Sequence, residues 1–551
     1  MIIISFVKKY ILTRKGKFAF YIICSFLISA ITIFIAYCTG KFFDFLTGAH
    51  SGNLVVFCLL IAILNIGSLV LQYCGKMSYV KLNFDIVYEI SRDIIDIIHN
   101  ASLLQSQKSD AAYLNKCINH DTDSIVDFVI STITSSIVNI LSIFLILVLM
   151  IKISTWITFT LCCFFVIYLF LYIIFKKPLF KYGYEMKEQQ SHCFSKMFEQ
   201  INLVSFIKLH AVEKLFKKRL LQAFQFYRKS LLRYQRTAFI FSSLDGTVMV
   251  LMQIFLFITC GITIMNGNMS AGGFIILSSF ANRLISSASY FFGLGKSYQN
   301  AYASYERIQN ILSWEKDLNK KRKLNERILE INMKDVCFSF GDKSVMKDLV
   351  LNFKRGSKYA VIGENGSGKT TFIHLLVGIY RPESGIVTYN GLPVSQLDVK
   401  YLRKNKIGIV EQEPVLLQDS IYNNICLDAE NSDDVKLKAI IDILDLSSFI
   451  EKQPYGIHTL ISAKNNNISG GEKQKIAIAR LLLKEPEVMI FDEPTSALDQ
   501  QTTVRLVGYL NKIKREKIII IITHTQSIID VCENVIYMDN SKFIDYCKIN
   551  E

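Results

Sequence analysis

The sequence predicts two folds in one chain, an α-helical domain of six membrane spans followed by an α/β domain with a largely parallel core sheet. Two observations carry this. Apolar runs long enough to cross a bilayer fill the chain and stop near Leu294, and beyond them strand-like and helix-like segments alternate. Within that second half, the short apolar strand Lys358-Tyr359-Ala360-Val361-Ile362 opens directly into the glycine-rich loop GENGSGKT, Gly363 to Thr370. Composition fits the split: 51% of the 551 residues are apolar and the mean hydropathy is +0.31, yet 20% are charged.

The six spans run from Phe18 to Thr39, Leu54 to Cys74, Phe128 to Ile151, Ile153 to Phe175, Ala238 to Met265 and Gly272 to Leu294. Each suits a hydrocarbon core ~30 Å thick. Lys8, Lys9, Arg14, Lys15 and Lys17 precede the first, as in a signal peptide. That run exceeds the ~7 to 15 apolar residues of a signal core and no small-residue cleavage site follows, so it reads as a retained helix. The same basic residues place the N-terminus in the cytoplasm of a multi-pass protein of the cell membrane. The long, charged connections Gly75 to Asp127 and Lys176 to Thr237 then fall on the cytoplasmic side, as does the second half of the chain. Their helical patterning predicts spans that run on well beyond the lipid bilayer. Loop lysines and arginines account for the net charge of +15, so no nucleic-acid partner is expected. The thirteen cysteines lack zinc or redox spacing and read as small apolar residues.

Polar residues inside the spans point to a transport path. In the third span Thr132, Ser135, Ser136, Asn139 and Ser142 recur at steps of three and four, a stripe that either lines a water-filled cavity or lets helices pack closely. Arg283, beside Asn282 in the sixth span, costs at least ~2.5 to 3.5 kcal/mol in lipid and needs a cavity or a partner, for which Asp245 is the candidate. Arg283, Asn139 and Ser135 are the expected cavity residues. The membrane domain is expected over 18–302, a Lys-rich linker over 303–328 and the α/β domain over 329–551.

In the α/β half the strand, loop and following helix give the context a phosphate cradle requires. Gly363, Gly366 and Gly368 let the backbone curl so that successive N–H groups meet phosphate oxygens, with Glu364, Asn365, Ser367 and Thr371 completing the loop. Lys369 reaches the terminal phosphates and the Thr370 hydroxyl suits Mg²⁺. A second apolar strand, Val488-Met489-Ile490-Phe491, delivers Asp492 and Glu493 at its C-terminal end, where ligands bind in open α/β sheets. Asp492 suits a Mg²⁺ contact and Glu493 a general base acting on water.

With these pieces in order, the second half resembles the nucleotide-binding domain of the ATP-binding cassette (ABC) family. SGGEKQ (Ser469 to Gln474) is similar to the family signature, VEQEP (Val410 to Pro414) to its glutamine loop, SALD (Ser496 to Asp499) to its D-loop and Thr523-His524 to its switch histidine. Phe340 stands where the family stacks an aromatic on adenine. The resemblance implies a domain-swapped exporter half in which two such domains close head to tail around two ATP molecules with Mg²⁺. Ser469, Gly470, Gly471 and Glu472 of one chain then complete the phosphate loop of another. It further implies that Asp499 links the two sites, His524 holds the γ-phosphate and water, and Gln412 senses Mg²⁺. An identical second chain is the expected partner. Coupling helices are implied near Ala111 to Asn119 and Asn202 to Ile207.

The sequence departs from the family at Ile468, at Glu472 in place of the usual Gln, and at Ser462-Ala463-Lys464-Asn465, where a Gly-Glu pattern is common. The C-terminal helices of many relatives are not expected after the last strand. With no peptidase-like segment before the first span, any leader removal is expected elsewhere. The resemblance implies export of a peptide such as a bacteriocin or lantibiotic, or of a lipid or hydrophobic drug, by alternating access. A membrane regulator or ATP-gated sensor that does not pump is the alternative.

Overall fold

The structure is a computed structural model and describes residues 2–48, 53–107, 111–315, 322–364, 366–427, 434–461, 468–495, 497–539 and 542–545. The chain forms two compact units, one of Met1–Asp96 and Asp110–Ser313, the other of Ile97–Ser109 and Trp314–Glu551.

The first unit is helical. It comprises α1 (Ile2–Thr13), α2 (Lys15–Leu46), α3 (Leu54–Asn100, whose last turn belongs to the second unit), α5 (Ala111–Lys116), α6 (Thr122–Ile153), α7 (Thr155–Asn202), α8 (Val204–Leu209), α9 (Glu213–Met265) and α10 (Ala271–Leu312). Among the described residues five helices are long and apolar enough to cross a membrane: α2, α3, the run Tyr113–Ile153 containing α6, α7 and α9. The sixth expected span is the first half of α10. Ser278, Ser279, Asn282, Arg283, Ser286 and Ser287 dilute its apolar content, and it is seated by packing along α2 and α6. At 47, 48 and 53 residues, α3, α7 and α9 reach ~70 to 80 Å at ~1.5 Å per residue, far more than a bilayer core requires. α7 packs chiefly along α9.

Most of the N-terminal basic residues expected to flank the first span are in or just after α1, and Arg14 and Lys17 pair with α3. α1 buries Ile3, Val7, Tyr10 and Ile11, one face of a helix. Tyr10 donates to Asp93 at 2.8 Å, Arg14 to Glu89 at 2.7 Å, and Lys17 to Asp85 at 2.8 Å. Asp85, Glu89 and Asp93 stand four residues apart and therefore share one helix face.

α2 and α10 approach closely at Gly40 and Gly272. A Cβ on Gly272 would lie 2.0 Å from the Gly40 carbonyl oxygen, and one on Gly40 2.6 Å from that of Gly272. There the buried Asp44 carboxylate accepts the Gly272 amide at 2.7 Å. Farther along, a π-helical turn over Cys117–Asp121 joins α5 to α6. Asp121, fully buried, accepts from Arg307 Nε and Nη2 at 2.7 and 2.6 Å and from Ser304 at 2.8 Å, tying the turn to α10.

The second unit holds α4 (Leu103–Gln107) and an α/β body. This corrects one expectation. Ala111 to Asn119 falls on α5 and the π-helical turn of the helical unit, whereas Leu103 and Leu104 of α4 pack against the α/β core. The other expected segment, Asn202 to Ile207, overlaps α8.

Two sheets build the body. One is antiparallel, in the order β2 (Lys343–Lys354), β1 (Glu330–Phe340), β4 (Ser384–Tyr389), β5 (Leu392–Pro393). The other runs β10 (Lys542–Asp545), β9 (Asn534–Asp539), β3 (Lys358–Gly363), β8 (Ile518–Ile522), β7 (Val488–Asp492), β6 (Ile407–Val410), parallel except for β10. Central strands such as Ile518-Ile519-Ile520-Ile521-Ile522 are apolar throughout because helices cover both faces. The helices of this body are α11 (Lys369–Leu376), α12 (Val399–Asn405), α13 (Ile421–Cys426), α14 (Asp434–Ile443), α15 (Ser447–Glu451), α16 (Gly470–Lys484), α17 (Gln500–Ile513) and α18 (Gln526–Ile529).

Candidate functional site

The site forms at the C-terminal ends of the parallel strands. β3 ends in Gly363, where a Cβ would sit 2.5 Å from the Met538 carbonyl oxygen of β9, so only glycine fits. Gly366 and Gly368 take φ of +82° and +103°, a region side chains resist. They curl the loop so that α11 starts at Lys369, with its free amides turned into the loop. The Ser367 hydroxyl is buried with no hydrogen-bond partner among the described residues, a donor left for an incoming oxygen. Thr370 is exposed and Thr371 buried. Asn365 lies outside the described residues.

Lys369 is buried, and its ammonium donates to the carbonyls of Gly363 at 2.5 Å and Glu364 at 3.0 Å. Its Nζ lies 3.3 Å from His524 Nε2. Burial lowers the Lys369 pKa, while Glu493 and Asp492 pull it back up.

β7 is buried throughout and carries Asp492 at its end. Glu493 follows at φ +48°, a left-handed conformation uncommon outside glycine and concentrated at functional sites, with its amide bonded to Ile522 O at 2.9 Å. Glu493 Oε2 accepts from Gln412 Nε2 at 3.0 Å, and Oε1 lies 3.9 Å from His524 Nε2. Glu364, Gln412, Glu493 and His524 line one open cleft. The Asp492 carboxyl is pushed up to about 6 by burial and by neighbouring Glu493, against the opposing charge of Lys369. Asp492 and Glu493 with the Gln412 amide, together with the Thr370 hydroxyl at the start of α11, are oxygen donors of the kind that fits Mg²⁺. That ion takes few carboxylates and completes its shell with phosphate and water.

Phe340 ends β1 with its ring 42% exposed, as a stacking platform must be. Ser469 caps α16: its hydroxyl accepts the Glu472 amide at 3.3 Å, while the Ser469 amide donates to the Glu472 carboxylate at 2.6 Å. The departure at Glu472 thus completes a capping box. A Cβ on Gly471 would meet the Ala497 carbonyl oxygen at 2.5 Å. Lys475 pairs with Asp499 at 3.2 Å, and Asp499 caps α17 through Thr502. The Thr502 amide and hydroxyl, with Lys475, hold the Asp499 carboxyl well below the usual carboxylate range. Gly470 opens α16 beside them. None of these residues lines the cleft that holds Glu493. Ser496 and the segment 462–465 lie outside the described residues.

In the helical unit, Arg283 Nη2 donates to Ser29 at 3.2 Å, Ser29 and Ser142 hydroxyls bond at 2.7 Å, and Arg283 Nε is buried without a partner among the described residues. Asn139 donates back to the Ser135 carbonyl. The apolar cavity between α6, α7, α9 and α10 is lined by residues including Leu161, Met252, Leu284 and Ala288, and not by Arg283, Asn139 or Ser135. Arg283 stands on the face of α10 turned to α2, and the side chain of Asp245, its expected partner on α9, lies outside what the structure describes. Sequence reasoning missed Tyr380, at the centre of an aromatic cluster with Phe338 and Phe340, because no motif marks it.

Residues 18–288 match the family model described as the ABC transporter transmembrane region, and residues 346–496 match that described as ABC transporter. The chain is 28% identical over 387 residues to the lactococcin-A transport/processing ATP-binding protein LcnC of Lactococcus lactis subsp. lactis, covering 69% of this chain and 53% of that protein. It is 27% identical over 430 residues to the transport/processing ATP-binding protein ComA of Streptococcus pneumoniae (strain ATCC BAA-255 / R6), covering 77% and 60%. The chain thus spans 53% and 60% of the length of these two curated relatives. A solved structure of a bacterial Atm1-family ABC exporter with ATP bound shares the fold, with a TM-score of 0.83 at 18% identity, over 96% of this chain and 94% of that one.

Proposed function

Because the chain belongs to the ABC transporter family, as a transmembrane region fused to a nucleotide-binding domain, we propose that it is a membrane-embedded ATPase that exports an amphipathic peptide as a pair of identical chains. The observation that carries the ATPase reading is the meeting of Lys369, Gln412, Glu493 and His524 at the ends of parallel strands, beside a loop whose buried Ser367 hydroxyl has no partner among the described residues. In this reading ATP lies along Gly363 to Thr371 with its base on Phe340. Lys369 exchanges its two carbonyl partners for phosphate oxygens. Glu493, aimed into the cleft by its left-handed backbone, takes a proton from the attacking water, and His524 orients that water and the terminal phosphate. Asp492, Thr370 and Gln412 would hold Mg²⁺, which when bound neutralises charge on the phosphates.

Among the described residues the cleft is lined by Glu364, Gln412, Glu493 and His524, all on one chain. Gly471 packs on the Ala497 carbonyl of its own D-loop and Ser469 bonds Glu472, and neither lines the cleft, which supports the reading that a second chain supplies them. The bacteriocin-related name of one relative and the transport/processing names of both favour a peptide as cargo. The basic N-terminal segment favours a cytoplasmic nucleotide-binding half, with export directed outward. Arg283, Asn139 and Ser135 remain our candidates for contact with cargo.

The test is ATP-dependent uptake of labelled synthetic peptides into inside-out vesicles. Uptake abolished by Glu493→Gln is the expected result. ATP hydrolysis without accumulation of any peptide would overturn peptide export while leaving the ATPase reading standing.

A further inference from the structure

Behind Phe340 in the α/β unit stand two rings, Phe338 and Tyr380, that the proposed chemistry does not use. Tyr380 follows α11 and is almost fully buried. Its ring stacks on Phe338 at 5.2 Å with an interplanar angle of 3°, and meets Phe340 edge-on at 5.9 Å and His374 edge-on at 4.8 Å. Phe338 in turn meets Phe340 edge-on at 5.0 Å. Phe340 alone is well exposed, so its orientation depends on the two rings behind it. The Tyr380 hydroxyl donates to Gln107 Oε1 at 3.4 Å, at the end of α4. α4 is itself fixed to the same body: Leu103 and Leu104 pack on its core, and Lys400 donates to Asn100 just before the helix. By sequence, α4 belongs to the connection between the second and third expected spans.

We infer that Tyr380 is a positioning residue for nucleotide binding: it sets the Phe340 ring to receive adenine, and Gln107 anchors it. The inference rests on the reading of Phe340 as the adenine platform. Occupancy of the base pocket and the seating of α4 are then coupled through one hydroxyl and two edge-on rings, and such coupling is reciprocal.

The test uses the full chain in lipid nanodiscs and reads KM and kcat for ATP beside inhibition by inorganic tripolyphosphate, which has no base. Gln107→Ala and Tyr380→Phe should each raise KM for ATP about two- to threefold, since each removes one hydrogen bond and leaves the rings in place. kcat and the tripolyphosphate inhibition constant should stay unchanged, and the double variant should be no worse than either single one. In a Phe340→Ala background, itself raised about tenfold in KM by loss of the stacking ring, neither change should matter further. An unchanged KM, a parallel shift in tripolyphosphate inhibition, or effects that multiply with Phe340→Ala would overturn the inference and leave the nucleotide site intact. If Phe340→Ala alone leaves KM unchanged, the platform reading falls and takes the inference with it.

Discussion

Replacing Asp44 by alanine should loosen the seam between α2 and α10. The Asp44 side chain is only 4% exposed, and its Oδ1 accepts the Gly272 amide in the first turn of α10 at 2.7 Å. A charged acceptor on a buried amide is worth about 1.5 to 3 kcal/mol, and its removal leaves that donor unpaired. Lys41 lies 3.6 Å from the other oxygen and is 35% exposed, so the ion pair adds at most about 1 kcal/mol. The expected loss is therefore about 2 to 4 kcal/mol, carried mainly by the amide. Asp44→Asn keeps an oxygen in place and should cost about half as much or less. Lys41→Ala should cost least. Gly272→Ala reaches the same seam by another route, because its Cβ would stand 2.0 Å from the Gly40 carbonyl oxygen and 2.5 Å from Asp44 Oδ1. Overpacking of that kind costs about 1 to 3 kcal/mol. Retention of monodisperse protein in detergent after graded heating, at one fixed rate, ranks the variants. If Asp44→Asn is as damaging as Asp44→Ala, or Lys41→Ala matches it, the charge pair and not the amide holds the seam, and the reasoning fails.

Three further outcomes are expected. Lys369→Ala should reduce phosphate release from the reconstituted protein by about 100-fold or more, and turnover within threefold of the parent would sink the site assignment. Arg307→Ala leaves Asp121 buried without its guanidinium partner, keeping only the Ser304 hydroxyl bond of those described above, and should cost about 3 kcal/mol, the low end for such a break because Arg307 is 32% exposed. Adding Asp121→Asn should recover part of the loss in the same heating assay, and no recovery would argue against the pair. Glu472→Ala should cost about 1 kcal/mol through the lost capping box, whereas Glu472→Gln, which keeps an acceptor for the Ser469 amide, should be nearly neutral.

The α/β half was legible where a backbone requirement leaves a residue signature. Gly363, Gly366 and Gly368 are needed by the loop's curvature, and the apolar run into Asp492 by a strand buried on both faces. The membrane half yielded its long helices from hydropathy, but α10 tested that signal, since its polar residues stay inside by facing α2 and α6. The stripe on α6 shows the same ambiguity. Ser142 bonds Ser29 and Ser136 bonds Tyr290, both of them packing contacts between helices, and periodicity alone says nothing of what a hydroxyl meets. α4 was missed because its docking depends on Leu103 and Leu104, two ordinary leucines in a polar segment. Glu493's left-handed backbone and the Tyr380 cluster were likewise invisible, the first because side-chain identity does not report φ, the second because its rings come from β1 and from a turn far along the chain.

The contact of Gly471 with the Ala497 carbonyl, reinforced by Lys475 and Asp499, joins the start of α16 to the D-loop within one chain. Both segments that the proposed pairing sends to a second chain therefore arrive as one prefabricated edge. In that pairing a neighbouring chain that met the first segment would meet the second as part of the same surface.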